Sequence, residues 1–267
     1  MQNRSLSPIL KTIAKIGFTA KGLIYSLLGI LGFMAAFGLG RQANKDVDKE
    51  QAFNVIEHLP AGKWVLAIVA LGLLCYVLWR LTQTFLLPGK DDSKIKNISK
   101  KMRYLLSGLV YLSLAVFAVK MVFQNSESSG SQQQVIENIM QIKNGPLLIG
   151  LAAIIIAIVG VYQIYYSFSE SYKKHVSLAS VSSKNRDLLL LSGKMGYVAR
   201  GVVWLLIAWL FSKAAWSSKA SEAGDTAKAF RFLESASYGS YLLGALGLGL
   251  LCYGIFNFIR ARYETFQ

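Results

Sequence analysis

The sequence predicts an all-α integral membrane protein whose six transmembrane helices form three parallel two-helix repeats. Three observations carry that expectation. The 267 residues are 54% hydrophobic and only 16% charged, with a positive mean hydropathy. Six apolar runs, Ile16–Leu39, Trp64–Leu87, Tyr104–Phe123, Pro146–Phe168, Met195–Trp216 and Tyr238–Ile259, hold about 20 residues each, enough to cross a hydrocarbon core of roughly 30 Å. The stretch from Lys194 to Trp204, which opens the fifth run, recurs from Lys15 to Tyr25 in the first and, more loosely, from Lys101 to Tyr111 in the third. These copies stand 86 and 93 residues apart, so a unit of two crossings occurs three times. One membrane domain then spans residues 1–267, with repeats over about 9–87, 95–168 and 188–260.

In lipid every backbone polar group must be satisfied within its own segment or a closed barrel. The alternating strands of a barrel are not seen, so the runs are helices. The first run is longer than the apolar core of a signal peptide and aligns with two internal helices, which makes it a transmembrane helix as well.

Each unit reads as four parts. A basic lead-in comes first, with apolar residues at spacing 3 then 4: Ile95, Ile98, Met102 and Leu188, Leu191, Met195, with Ile9, Thr12, Ile16 in the first unit. Lys11, Lys15, the lysines from Lys94 to Lys101, Lys184 and Arg186 form its polar face. Such a segment suits a cytoplasmic interface, where each Lys or Arg gains about 1 kcal/mol from anionic lipid.

The opening helix of each unit follows, bearing a stripe of small and aromatic residues: Gly22, Tyr25, Gly29; Gly108, Tyr111, Ala115; Gly201, Trp204, Ala208. The 3-4 spacing keeps each set on one face, and small residues there let helix backbones approach. The expectation is that the three opening helices lie toward the middle, joined by these stripes, with Gly22, Gly29, Gly108 and Gly201 as packing residues.

Next come short external segments, Ala52–Glu57 and Ala229–Glu234, with the looser Val135, Ile136, Ile139, Met140 between them. These are expected to lie as amphipathic helices on the outer interface. The Ser/Gln-rich loop from Gln124 to Gln134 is expected to be mobile. The closing helix contains Gly72-Leu73-Leu74-Cys75-Tyr76 in the first unit and Gly249-Leu250-Leu251-Cys252-Tyr253 in the third, and Tyr162 holds the equivalent place in the second. Cys75 and Cys252 are packing residues here, with no disulfide or metal-ligand spacing. Two crossings per unit start every unit on the same side, so an approximate threefold axis would run along the membrane normal.

The net charge of +15 would suit nucleic acid, but its distribution assigns it to the membrane. The termini, the second and fourth loops and the adjoining helix ends carry 19 Lys+Arg against 5 Asp+Glu, whereas the other three loops carry 10 against 9. Positive loops stay in the cytoplasm, which places both termini inside. The expected partners are membrane lipids with anionic headgroups on the cytoplasmic side, with a protein partner or a second copy as a further option, and no nucleic acid.

The recurring Gly-aromatic-x-x-Lys/Arg-Gly-x-x-aromatic signature is clearest in Gly196-Tyr197-Val198-Ala199-Arg200-Gly201 and Gly17-Phe18-Thr19-Ala20-Lys21-Gly22. At the head of three two-helix units it resembles the bacterial membrane family called "domain of unknown function 1206", over almost the whole chain. The middle copy departs from it, with Arg103 at the first Gly and Ser107 at the basic position. The resemblance implies a bacterial inner-membrane protein and brings no activity with it. Mitochondrial carriers share only the three-repeat architecture, since their Pro-x-Asp/Glu-x-x-Lys/Arg motif follows none of Pro8, Pro60, Pro88 or Pro146.

Lys21 and Arg200 are the most informative polar residues. Lys21 falls about 8 Å into its helix, where a cation costs up to about 2.5–3.5 kcal/mol at the bilayer centre. One reading has these cations snorkel toward the interface with ring contact one turn on, Lys21 to Tyr25 and Arg200 to Trp204. The other is a cytoplasm-side anion or lipid site made by Lys21, Ser107 and Arg200 with Tyr25, Tyr111 and Trp204. No Asp or Glu lies in any of the six runs, which removes a carboxylate proton relay. His58 and His175 lie outside the runs, and no motif points to a catalytic residue, a metal or a cofactor. The expected function is therefore a non-enzymatic multi-pass inner-membrane protein that binds lipid or a partner. The alternative is a small transporter or channel for an anionic or lipid-like solute.

Overall fold

The computed structural model describes residues 7–39, 49–57, 61–86, 94–124, 131–175 and 183–264. His58 and residues 125–130 of the Ser/Gln-rich loop lie outside them, while residues 131–134, expected to belong to that mobile loop, form the first turn of a helix that begins at Ser131. The chain forms α1 Pro8–Ala36, α2 Lys49–Glu57, α3 Gly62–Phe85, α4 Lys94–Gln124, α5 Ser131–Met140, α6 Gly145–Phe168, α7 Ser183–Ser217, α8 Thr226–Glu234 and α9 Gly239–Tyr263, with 3-10 turns at Ser171–His175 and Ala220–Glu222. A long, short, long order thus runs three times. The six long helices are long and apolar enough to cross a membrane.

Local chemistry sets the helix ends. Ser7 caps α1 by accepting the Leu10 N–H at 3.3 Å, and Pro8 occupies the first helical position, where its missing N–H costs nothing. Gly38, at φ +63°, takes the left-handed turn that stops α1. Pro146 likewise sits at the start of α6, and Asp225 caps α8 through the Lys228 N–H at 3.1 Å. The basic lead-ins are continuous with α1, α4 and α7.

The broadest contacts join one unit to the next: α3 lies along α4, α6 along α7, and α9 along α1. Within the first and third units the two long helices also pack, α1 on α3 and α7 on α9, whereas α4 and α6 do not pack along their length. The core therefore lies around α1, α3 and α9, whose apolar windows are 61, 50 and 56% buried, against 28% for α4 and 22% for α6.

This packing corrects two expectations. The Gly stripes do not join the three opening helices to one another. A methyl added at Gly29 would meet the α9 backbone at Leu251 N (2.5 Å), and one at Gly22 would meet the Phe258 ring of α9 at 2.9 Å. Gly201 is pressed against Gly160 and Ile164 of α6, and Gly108 faces Arg80 of α3 loosely, at 3.5 Å. The stripe glycines thus seat each opening helix on the closing helix of another unit, and of the stripe residues Tyr25 and Tyr111 do link α1 to α4. The 3-4 pattern gathers small residues on one face but does not say which neighbour that face meets.

The second correction concerns the short helices. Those of the first and third units wedge into the bundle instead of lying on the interface. Ala52 and Phe53 of α2 and Ala229 of α8 are 0% exposed and Phe230 is 2% exposed. Phe53 stacks on Phe117 of α4, with ring centroids 6.0 Å apart, and the Phe230 ring sits over Gly32 of α1. Protein packing buries their apolar faces more completely than an interface would.

Candidate functional site: a belt of cations and tyrosines

Lys21 is buried and Arg200 half-buried, and tyrosines on neighbouring helices receive both cations. Lys21 is 1% exposed, so it does not snorkel. Its Nζ donates to the Tyr76 hydroxyl of α3 at 3.1 Å. It also stands 4.9 Å from the Tyr76 ring centre and 5.1 Å from those of Tyr111 on α4 and Tyr253 on α9. A desolvated cation–ring contact contributes up to about 2 kcal/mol, so three of them offset the roughly 2.5–3.5 kcal/mol of placing Lys at the bilayer centre.

Arg200 repeats the arrangement in the third unit. Its Nη1 donates to the Tyr253 hydroxyl, and its guanidinium lies 5.0 Å from the Tyr253 ring and 5.4 Å from that of Tyr25. The contacts drawn for Arg200 are thus to Tyr25 and Tyr253, while Trp204 lines a small crevice beside it. Tyr25 and Tyr111, both buried, meet through their hydroxyls at 3.2 Å.

Two further cations belong to this belt that sequence reasoning had not assigned to it. Arg80, one turn beyond Tyr76, donates to the same hydroxyl through Nε at 2.8 Å and to Gln83 at 2.6 Å. Tyr104 of α4 lies between Arg80 at 5.2 Å and Arg103 at 5.4 Å. Arg103 in turn donates to the Tyr162 hydroxyl of α6. From Tyr162 the rings continue through Tyr166 and Tyr197 to Tyr253. All six long helices contribute to the belt.

In each unit a cation of the opening helix donates to a tyrosine hydroxyl of the closing helix: Lys21 to Tyr76, Arg103 to Tyr162, Arg200 to Tyr253. In the second unit the cation has moved one turn back, from the Ser107 position to the Arg103 position. Ser107 is half-buried, and among the described residues no hydrogen bond joins it to the belt. The signal for this was in the sequence, where Tyr162 matches Tyr76 and Tyr253 while Arg103 replaces a glycine.

The electrostatics are one-signed. Among the described residues Arg80, Arg103 and Arg200 touch only neutral partners. Lys21 and Arg80 share one hydroxyl at 3.1 and 2.8 Å, which places their charges within about 6 Å of each other, a repulsion of roughly 3 kcal/mol at an effective dielectric of about 20. Arg200 Nε is buried with no hydrogen-bond partner, which costs roughly 1–3 kcal/mol or more for a charged group. Arg260, at the end of α9, grips Glu264 with two nitrogens and covers the Phe18 ring at 4.3 Å. Among the described residues no group of three potential metal ligands occurs, and Cys75 and Cys252 are free.

A family model described as Domain of Unknown Function (DUF1206) matches residues 16–86, 102–170 and 195–264. A relative from Bacillus subtilis (strain 168), named "Uncharacterized protein YxxB", is 23% identical over 257 residues, covering 96% of this chain and 92% of its own. No solved structure matches the chain.

Proposed function

Because the chain belongs to the family described as Domain of Unknown Function (DUF1206), which brings no assigned chemistry, we propose a function from the belt itself: a non-enzymatic, multi-pass inner-membrane protein that holds an anionic group against Arg200, Lys21 and Arg80. The observation that carries this reading is that half-buried guanidiniums touch only neutral partners among the described residues, with one buried donor, Arg200 Nε, left over. A phosphate or carboxylate oxygen would satisfy that donor and screen the repulsion between neighbouring cations. The chemistry is the same whether the anion is free or part of a lipid headgroup.

The basic face, with 19 Lys+Arg against 5 Asp+Glu, is taken as cytoplasmic, with both termini on it and the units arranged about an approximate threefold axis. The lead-ins of α1, α4 and α7 then rest on anionic headgroups. A second reading, a transporter or channel for an anionic solute, is favoured by the crevice that reaches Arg200. Against it stand spans without internal proline, since broken helices usually mark such sites.

Native mass spectrometry of the gently purified protein beside the Lys21→Ala/Arg200→Ala variant tests the proposal. The expected outcome is an anionic adduct on the wild type that the variant lacks, its mass separating lipid from small ion. Identical adducts on both, or none on either, would overturn it.

A further inference from the structure

The second unit leaves an opening in the side of the bundle, between α4 and α6, which do not pack along their length. In the first and third units the helix pair closes because Gly17 and Gly196 let backbones touch. In the second unit Arg103 stands at that place, and its guanidinium reaches across to the Tyr162 hydroxyl of α6. The Tyr104 and Tyr162 rings flank that guanidinium, with centres 5.4 and 5.0 Å away. Unlike Lys21, Arg103 is only half-buried. A guanidinium carries five N–H donors, and Tyr162 takes one of them. Lys100, one turn back on the same face of α4, is exposed.

Beyond this bridge the two walls are apolar. Leu106 and Val110 follow Arg103 on its face of α4, and Ile158 and Ile155 precede Tyr162 on its face of α6. Leu106, Ile155 and Ile158 are exposed. Helices that associate in lipid use small residues to bring backbones together, and the small residues of α6 face α7. Gly160 is pressed on Leu205 and Gly201, and Gly150 faces Ala215. The wall toward α4 is bulky and branched, which suits lipid tails better than a further helix. The net charge of +15 also disfavours a second copy of the chain at this basic mouth. We infer that the opening holds one anionic phospholipid, its phosphate on Arg103 and Lys100 and its acyl chains along Leu106, Ile155 and Ile158. Basic pockets between membrane helices bind anionic headgroups in this way. The site is separate from the anion site at Arg200, Lys21 and Arg80 and does not depend on it.

The test puts a tryptophan in the opening and bromine on the lipid tails, because bromine quenches indole fluorescence on contact. Full-length Leu106→Trp would be placed in phosphatidylcholine vesicles holding a minor fraction of phosphatidylglycerol, with one lipid or the other brominated. Leu71→Trp, on the exposed face of α3, is the control, and the wild-type signal is subtracted from both. Brominated phosphatidylglycerol is expected to quench Leu106→Trp beyond its share of the bilayer, and Leu71→Trp only in proportion to it. Adding Arg103→Gln lowers that preference by roughly tenfold to a hundredfold, the equivalent of one hydrogen bond to a charged group. Ile158→Trp repeats the measurement from the other wall, should Leu106→Trp fail to fold. Quenching in proportion to bulk composition at either wall would overturn the inference, as would a preference that Arg103→Gln leaves intact. Quenching by neither lipid, with dimers in native mass spectrometry, would overturn it in favour of a second copy. Lys21→Ala/Arg200→Ala should keep the preference even where it loses its own adduct, so the two sites fail separately. Loss of the preference in that variant would move the lipid to the belt and overturn its assignment to Arg103.

Discussion

The second unit and the third begin from the same plan, and their differences come down to a few side chains. In the third unit Gly196 lets α7 touch the α9 backbone, where an added methyl would lie 2.6 Å from Tyr253 Cα, and Ala199 fits over Gly249 at 2.4 Å from its missing methyl. The first unit repeats both contacts with Gly17 on Tyr76 and Ala20 on Gly72, each at 2.6 Å. In the second unit the corresponding residues are Arg103 with Tyr162 and Leu106 with Ile158. None of that bulk fits between touching backbones, so α4 and α6 stand apart, bridged by the Arg103–Tyr162 hydrogen bond. Leu106 and Ile158, 41 and 63% exposed, turn outward. Replacing two small contacts by large side chains turned a packed helix pair into an open one while keeping a cation on a tyrosine.

The sharpest way to break this comparison is to make the tight unit resemble the loose one. Gly196→Ala places a methyl against backbone that cannot rotate away. The expected loss is about 1–3 kcal/mol or more from overpacking, read as a lowered thermal midpoint in detergent and a smaller folded fraction on size exclusion. Gly108→Ala, whose added methyl would meet only Arg80 Cβ at 3.5 Å, is the matched control and leaves the midpoint unchanged or raises it through better helix propensity. Equal losses at both glycines would sink the claim that close approach at Gly196 holds the third unit together.

Much of this was legible in the sequence, and the rest was not for physical reasons. Apolar runs and the recurring Lys15, Lys101 and Lys194 stretches show the six helices and their grouping, because hydrophobic length and repetition are properties of the chain alone. Lys21 and Arg200 stand out because a cation inside an apolar run is costly. Their partners lie on other helices, however, and Tyr76 is 55 residues from Lys21, so no local spacing reveals the pair. Arg80 and Arg103 sit on different helices, and only the fold places Tyr104 between them. The wedging of Phe53 and Phe230 was hidden for the same reason, since an amphipathic helix has the same pattern against lipid as against protein.

The wedge offers the next test, of smaller expected effect. Phe53 and Phe230 each stand nine residues before the glycine that opens the closing helix, and at that place the second unit has Ile136, nine before Gly145. Below Ile136 lies an apolar groove of about 330 Å³ walled by Ile139, Leu148, Ile149 and Phe211. Ile136→Phe supplies the ring that the other units have, and filling a cavity commonly adds about 0.5–2 kcal/mol. A raised thermal midpoint is expected, whereas Phe230→Ile in the third unit should lower it. A lowered midpoint for Ile136→Phe would mean that the groove is shaped for something other than the missing ring.

The smallest effect concerns how the wedge helix of the third unit is tethered. Lys213 near the end of α7 meets Glu222 at 3.0 Å, while Lys120, at the same place in the second unit, is exposed and has no ion-pair partner among the described residues. The hydrogen bond from Lys213, with the positive charges of Lys213, Lys228 and Lys219 around it, holds the Glu222 carboxyl below the ordinary carboxylate range. A carboxyl whose folded-state pKa is lowered stabilises the fold above its unfolded value and loses that contribution as pH falls through the folded one. Glu222→Gln should therefore lower the thermal midpoint slightly at neutral pH, and the gap should close as pH falls below about 4. Lys120→Gln should produce no gap at either pH, because that lysine tethers nothing. A Glu222→Gln gap that persists unchanged into acid would show that the glutamate acts through shape instead of charge, and the difference between the two lysines would lose its meaning.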